Sequence, residues 1–295
     1  MKIEELRIPA PWGHIAAKCH GDPSNEIVIV LHGYLDNAGS FDRLIPKMPE
    51  MYYYVCADLP GHGFSSGFDS SLPTHYLNFL LPIKVITNYF KRDSYVLLGH
   101  SFGATLCIMF TQLYPKTVSK LIMLDALYVI PIDAYTYMNS IRFSHLDYFE
   151  KINNGVKRNG EYKYDEIINR LKRERYPDVK DNGPAEDIAK RMIKQNENGT
   201  FSFTINSLLK SMIMPSFTFE YKRIMFETHP VLCPKLIILT KNHSYNDLNQ
   251  EMRNYYEEKK YDIREIDGVH HVHQIEPEIV LKHIVPFLLN QSSKY

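Results

Sequence analysis

Residues Gly99-His100-Ser101-Phe102-Gly103 stand between the apolar run Tyr95 to Leu98 and the helix-patterned stretch Ala104 to Leu113. A strand that passes into a helix within so few residues forces its turn residue into strained backbone angles. A glycine two places to either side keeps neighbouring groups from crowding that turn. The pattern predicts that Ser101 is lifted to where a small molecule can reach its hydroxyl. It also predicts strands alternating with helices. Short apolar, β-branched runs recur at Ile27 to Leu31, Tyr53 to Ala57, Tyr95 to Leu98, Leu121 to Leu124 and Leu236 to Leu239. Such alternation predicts an α/β fold, with a mostly parallel sheet covered by helices on both faces. An opening hairpin is expected from Ile3 to Ile8 and His14 to Cys19, with Pro9, Pro11 and Gly13 supplying the turn. The final strand is expected at Tyr261 to Ile266. A closing amphipathic helix over Glu278 to Leu289 follows, with Pro277 in its first turn and Pro286 kinking its end.

The 295 residues suffice for one large domain with an insertion. Lys plus Arg and Asp plus Glu each number 34, a formal net charge of zero. This balance offers no overall attraction for nucleic acid or an anionic membrane, so a small neutral or apolar substrate is the expected partner. Cys19, Cys56, Cys107 and Cys233 are widely spaced, and two of them sit in apolar runs, which suits reduced thiols in a reducing compartment. No run reaches membrane-spanning length and the early residues lack a secretory pattern, so a soluble cytoplasmic protein is expected. The terminal Ser293-Lys294-Tyr295 matches a peroxisomal address at two of three places and departs from it at Tyr295.

Between Tyr128 and Thr228 the texture changes. Uninterrupted apolar runs are few, charged and amide residues are many, and helix-like pieces appear at Asp165 to Arg175 and Ala185 to Asn196. Residues 128–228 therefore read as a helical cap inserted after the strand ending near Leu124, with 1–127 and 229–295 forming the core. An insertion at that point is expected to lie over the strand ends as a lid. Its Met138, Phe143, Phe149, Met214, Phe217 and Phe219 are candidates to line an apolar pocket, although such residues more often serve packing. The basic stretch Lys157 to Arg175 has interleaved acids and reads as a solvated helix face.

A serine hydroxyl is a poor nucleophile near neutrality and needs a base, which a carboxylate must orient. In the chain order nucleophile, acid, histidine, the base lies behind the last strand. Gly268-Val269-His270-His271-Val272-His273 is found there. His270 is the candidate base, with His271 and His273 as neighbours. A metal site built from this cluster with His243 is the rival reading, but no zinc-like spacing supports it. Two acids are open. Asp125 ends the strand Leu121 to Leu124, while Asp247 follows the Leu236 strand in a loop that would need to be long; Asp125 is favoured. His32-Gly33-Tyr34 suits an oxyanion hole formed by the amides of Tyr34 and Phe102. Asp58-Leu59-Pro60-Gly61-His62-Gly63-Phe64-Ser65 reads as a supporting loop in which His62 is structural.

Several segments together resemble the α/β-hydrolase fold, and more closely the serine hydrolase-like (kraken-type) group. They are Pro11-Trp12-Gly13-His14-Ile15-Ala16-Ala17-Lys18, His32-Gly33-Tyr34-Leu35-Asp36-Asn37, Ser40-Phe41-Asp42-Arg43-Leu44-Ile45-Pro46, the Ser101 pentapeptide and Leu121-Ile122-Met123-Leu124-Asp125. The resemblance implies a serine hydrolase with a lid and no cofactor or metal. Some members of that group are associated with peroxisomes. Together the two lines of reading predict a carboxylesterase-like enzyme acting through an acyl-Ser101 intermediate. A catalytically silent fold that binds an apolar ligand or a protein is the alternative.

Overall fold

In a computed structural model the described residues are 1–68, 74–129, 132–147, 150, 160–176, 179–205, 209, 212, 215–241 and 246–291; for 144, 145 and 246–249 the backbone alone is described. Among the described residues eight strands form one sheet: β1 (Ile3–Ala10), β2 (Gly13–His20), β3 (Glu26–Leu31), β4 (Tyr52–Ala57), β5 (Tyr95–His100), β6 (Val118–Leu124), β9 (Lys235–Thr240) and β10 (Asp262–Ile266). Their spatial order is β1-β2-β4-β3-β5-β6-β9-β10. The opening hairpin pairs antiparallel and joins β4 antiparallel; every other pairing in the sheet is parallel. Pro9 is not in the turn as expected. It lies within β1 opposite His14, and proline is tolerated there because β1 is an edge strand.

The parallel strands are buried on both faces, which is why they read as continuous apolar runs. Ile27, Ile29 and Leu31 of β3 pack with α1 (Leu81–Phe90) and α2 (Phe102–Leu113), whereas Val28 and Val30 face the closing helix, Pro277–Leu288. Pro277 occupies that helix's first turn, and Pro286 lies inside its last. All four cysteines are free and buried.

Between β6 and β9 the chain forms α3 (Ala134–Ile141), which runs into a π-helical turn at Arg142–Leu146, then α4 (Tyr164–Arg175), α5 (Gly183–Met192) and α6 (Phe219–Thr228). The helix expected at Ala185 to Asn196 stops at Met192. The chain continues into an antiparallel pair, β7 (Ile193–Gln195) with β8 (Phe201–Phe203). The reason is local: Asn198-Gly199 closes the connection, Gly199 adopting φ of 80°, which glycine takes without strain. Ile167, Ile168, Leu171, Tyr176, Ala185, Ile188, Ala189 and Met192 give this segment its own small core. After β9 come α7 (Asn246–Glu258), the one-turn α8 (Val272–Ile275) and α9, the closing helix. Among the described residues no helix is long and apolar enough to cross a membrane.

Candidate active site

Ser101 joins β5 to α2 with φ of 50° and ψ of −117°, a conformation that non-glycine residues avoid and that persists only where its surroundings enforce it. Its amide donates to the Leu124 carbonyl at 2.9 Å. The flanking glycines are explained by close approach. A Cβ on Gly99 would lie 2.5 Å from the backbone of Ala104, and one on Gly103 would lie 2.3 Å from the Leu31 carbonyl oxygen. Any larger residue would push α2 off the sheet.

Asp125 follows β6, with φ of 49° and almost complete burial. One carboxylate oxygen accepts from the Thr240 amide at 2.8 Å and from the Thr240 hydroxyl at 2.9 Å. The other lies 2.6 Å from Nδ1 of His270, whose side chain is 35% exposed where that of Asp125 is 2%. The carboxylate is thus aimed at the imidazole. Thr240 went unnoticed in the sequence, although its place at the end of the adjacent strand was the available signal. Asp247 begins in the first turn of α7, and its side chain lies outside the described residues.

The histidine cluster is layered. His100 is buried beside Ser101 and donates through Nε2 to the His270 carbonyl at 2.9 Å. Its ring centroid lies 4.1 Å from that of His273 and 4.7 Å from that of His270. Burial pushes the pKa of His273 down to about 3 and holds His271 and His100 well below the usual histidine value. These three stay neutral. Among the described residues no three His, Cys, Asp or Glu side chains form a metal-binding group, and His243 lies outside the described residues. His62 is buried with Nδ1 3.0 Å from the Pro60 carbonyl oxygen.

The loop after β3 approaches the serine closely: a Cβ on Gly33 would sit 3.4 Å from Ser101 Cβ. Tyr34 follows, its ring edge-on to Phe102 at 6.1 Å and its hydroxyl donating to the Leu209 carbonyl at 2.8 Å. Phe102 is the first residue of α2, where backbone amides lack intrahelical acceptors and the helix dipole is positive. Of the apolar candidates in the insertion, Phe217 and Phe219 pack against the main core. Met138 and Phe143 are exposed, and Phe149 and Met214 lie outside the described residues.

A family profile described as the alpha/beta hydrolase fold matches residues 26–179. The chain belongs to the α/β-hydrolase-fold family, and within it to the serine hydrolase-like proteins. A "Probable serine hydrolase" of Drosophila melanogaster is 30% identical over 97% of this chain and 87% of its own length. A "Serine hydrolase-like protein" of Danio rerio is 26% identical over 98% of this chain and 89% of its own. Higher identity, 46% to the Homo sapiens protein of that name and 45% to that of Mus musculus, extends over only 61% and 39% of those relatives. Among solved structures, a hypothetical protein from Pseudomonas aeruginosa PAO1 superimposes with a TM-score of 0.81 at 24% identity, covering 97% of this chain and 99% of that one. The thioesterase domain from the curacin biosynthetic pathway gives a TM-score of 0.79 at 19% identity, with the same two coverages.

Proposed function

We propose that this protein cleaves an ester or related acyl bond of a small, apolar substrate through an acyl-Ser101 intermediate. The observation that carries the reading is the contact between Asp125 and His270, made beside a serine held in strained geometry. With Nδ1 engaged by the carboxylate, His270 has Nε2 for the proton of the Ser101 hydroxyl as Oγ attacks the substrate carbonyl. The oxygen of that carbonyl becomes an oxyanion held by the amides of Tyr34 and Phe102. Each such donor is worth about 3 to 4 kcal/mol of barrier. His270 then returns the proton to the leaving group. Water, activated by the same imidazole, releases the acid and restores Ser101.

In this scheme the insertion is a lid over the site. The bond from Tyr34 to Leu209 supports that role. A catalytically silent fold would lack an orienting carboxylate, and Asp125 at 2.6 Å from His270 favours catalysis.

Replacing Ser101 by alanine is expected to abolish both turnover of short p-nitrophenyl esters and labelling by a fluorophosphonate probe. Asp125→Asn is expected to lower kcat by about 10⁴-fold, because the imidazole loses its orienting partner. Asp247→Asn is the control. Labelling that survives Ser101→Ala overturns the assignment of the nucleophile, and a loss confined to Asp247→Asn overturns that of the acid.

A further inference from the structure

We propose that Arg175 and Tyr176, contributed by the insertion, are positioning residues that hold the oxyanion loop and the histidine loop in register with one another. The inference rests on the hydrolase reading above. Arg175 ends α4, and its guanidinium reaches the loop after β3 with two nitrogens. Nη2 donates to the Leu35 carbonyl, and Nη1 lies 3.4 Å from Asp36 Oδ2. Leu35 has φ of 55°, a left-handed conformation costly for a non-glycine residue, and it immediately follows Tyr34, the proposed oxyanion donor. A hydrogen bond to its carbonyl therefore acts where the loop is strained.

The fully buried Asp36 carries the link onward. One of its oxygens accepts from the Asn37 amide at 2.9 Å, and the other accepts from Nε2 of Gln274 at 3.0 Å. Gln274 lies on the short helix Val272–Ile275, directly behind His270 and His271, and its amide donates to the His271 carbonyl at 2.9 Å. Its side-chain oxygen accepts from the Tyr176 hydroxyl. Both ends of the carboxamide are thus engaged, which fixes its orientation. The Tyr176 ring also stands edge-on to His271 at 5.5 Å.

Two consecutive residues of the insertion therefore grip the two loops that supply the oxyanion donor and the base. Simple glue between insertion and core would not need a bond to a strained carbonyl on one loop and to the side-chain oxygen of Gln274 on the other. A displacement of about 1 Å at a reacting group can cost on the order of 10²-fold in rate.

The test uses the full chain with p-nitrophenyl acetate and a fluorophosphonate probe. Arg175→Gln is expected to lower kcat by about 10²-fold with KM little changed, the signature of lost transition-state positioning. Tyr176→Phe removes only a hydroxyl and is expected to lower kcat several-fold. Arg175→Lys keeps a charge facing Asp36 but lacks the planar fork, so it should recover part of the loss only. Wild-type kcat in folded Arg175→Gln and Tyr176→Phe overturns the inference, as does a change in KM or thermal stability alone. Should Arg175→Gln not fold, Tyr176→Phe decides. The Ser101→Ala arm separates the two failures: if wild type is labelled no better than Ser101→Ala, the hydrolase reading falls, and with it this inference.

Discussion

Two buried cations lie where the insertion meets the core, and their surroundings are opposite. Arg191, in the last turn of α5, is 4% exposed, and its guanidinium faces the fully buried Asp58, with Nη2 2.8 Å from Oδ2 and Nε 3.1 Å from the same oxygen. Its outer edge meets Glu5 on β1, and its plane covers the Phe64 ring at 4.4 Å. Asp58 also accepts the amides of Ala38 and Phe64, at 2.8 and 2.9 Å. Lys222, on α6, is 1% exposed, and among the described residues no carboxylate lies within ion-pair distance of it. One turn along the same face, Phe226 packs against Tyr128, Tyr255 and Tyr256. A planar fork met by fixed oxygens imposes a direction, whereas a buried ammonium with no carboxylate at ion-pair distance does not. The first seam thus fixes the direction in which the segment between β6 and β9 meets the core, and the second holds it by packing.

The sharpest way to break this contrast is to remove the guanidinium. Arg191→Met leaves Asp58 buried and uncompensated and is expected to destabilise the protein by about 3 to 5 kcal/mol, measured by urea unfolding. Adding Asp58→Asn should recover part of the loss, because the stranded charge is then gone. A loss below about 1 kcal/mol would mean that the seam is solvated and orients nothing.

The same contrast marks what could be read from the chain alone. The parallel strands and the Ser101 turn were legible because each is decided within a few residues: apolar runs buried on both faces, and glycines that leave room for α2 against β3. The end of β6 placed Asp125 as a candidate, but which of the two acids faces His270 depends on the packing of β6 against β9, which brings Thr240 alongside. Arg175, Asp36 and Gln274 were passed over, since they come from segments far apart in the chain and only the fold makes them neighbours. The β7–β8 pair is a different miss. Its Asn198-Gly199 signal was visible, and the amphipathic stretch before it drew the helix too far.

Lys222 sharpens the comparison through pH. Burial pushes its pKa down from the ordinary 10.5 to about 8, only partly offset by Glu251. Between those two values the unfolded chain keeps the lysine proton and the folded chain does not, so the Lys222 contribution to stability rises with pH across this window. Below it both states are protonated, and the folded state carries the whole penalty of a buried charge. Lys222→Met is therefore expected to stabilise the protein at pH 7 by about 1 to 2 kcal/mol. The gain should shrink as the pH is raised toward 10.5, read as the difference in melting temperature between variant and wild type at each pH. A destabilised variant whose difference from wild type does not change with pH would show that the ammonium has a partner and that the second seam resembles the first.

The smallest effect belongs to the outer partner of Arg191. The Glu5 side chain is 51% exposed, so water already screens its charge, and Asp58 remains in place when it is removed. Glu5→Gln is expected to cost less than about 1 kcal/mol. That cost should fall further as salt is raised from about 0.1 M to 1 M, where the screening length shrinks to about 3 Å. The Asp58 contact, closed off from solvent, should keep its worth over the same range. Equal costs for Glu5→Gln and Arg191→Met, with equal salt dependence, would move the anchor from the buried carboxylate to the edge strand. The insertion would then hang from β1 rather than from the loop behind β4, and its orientation would be set away from the candidate site.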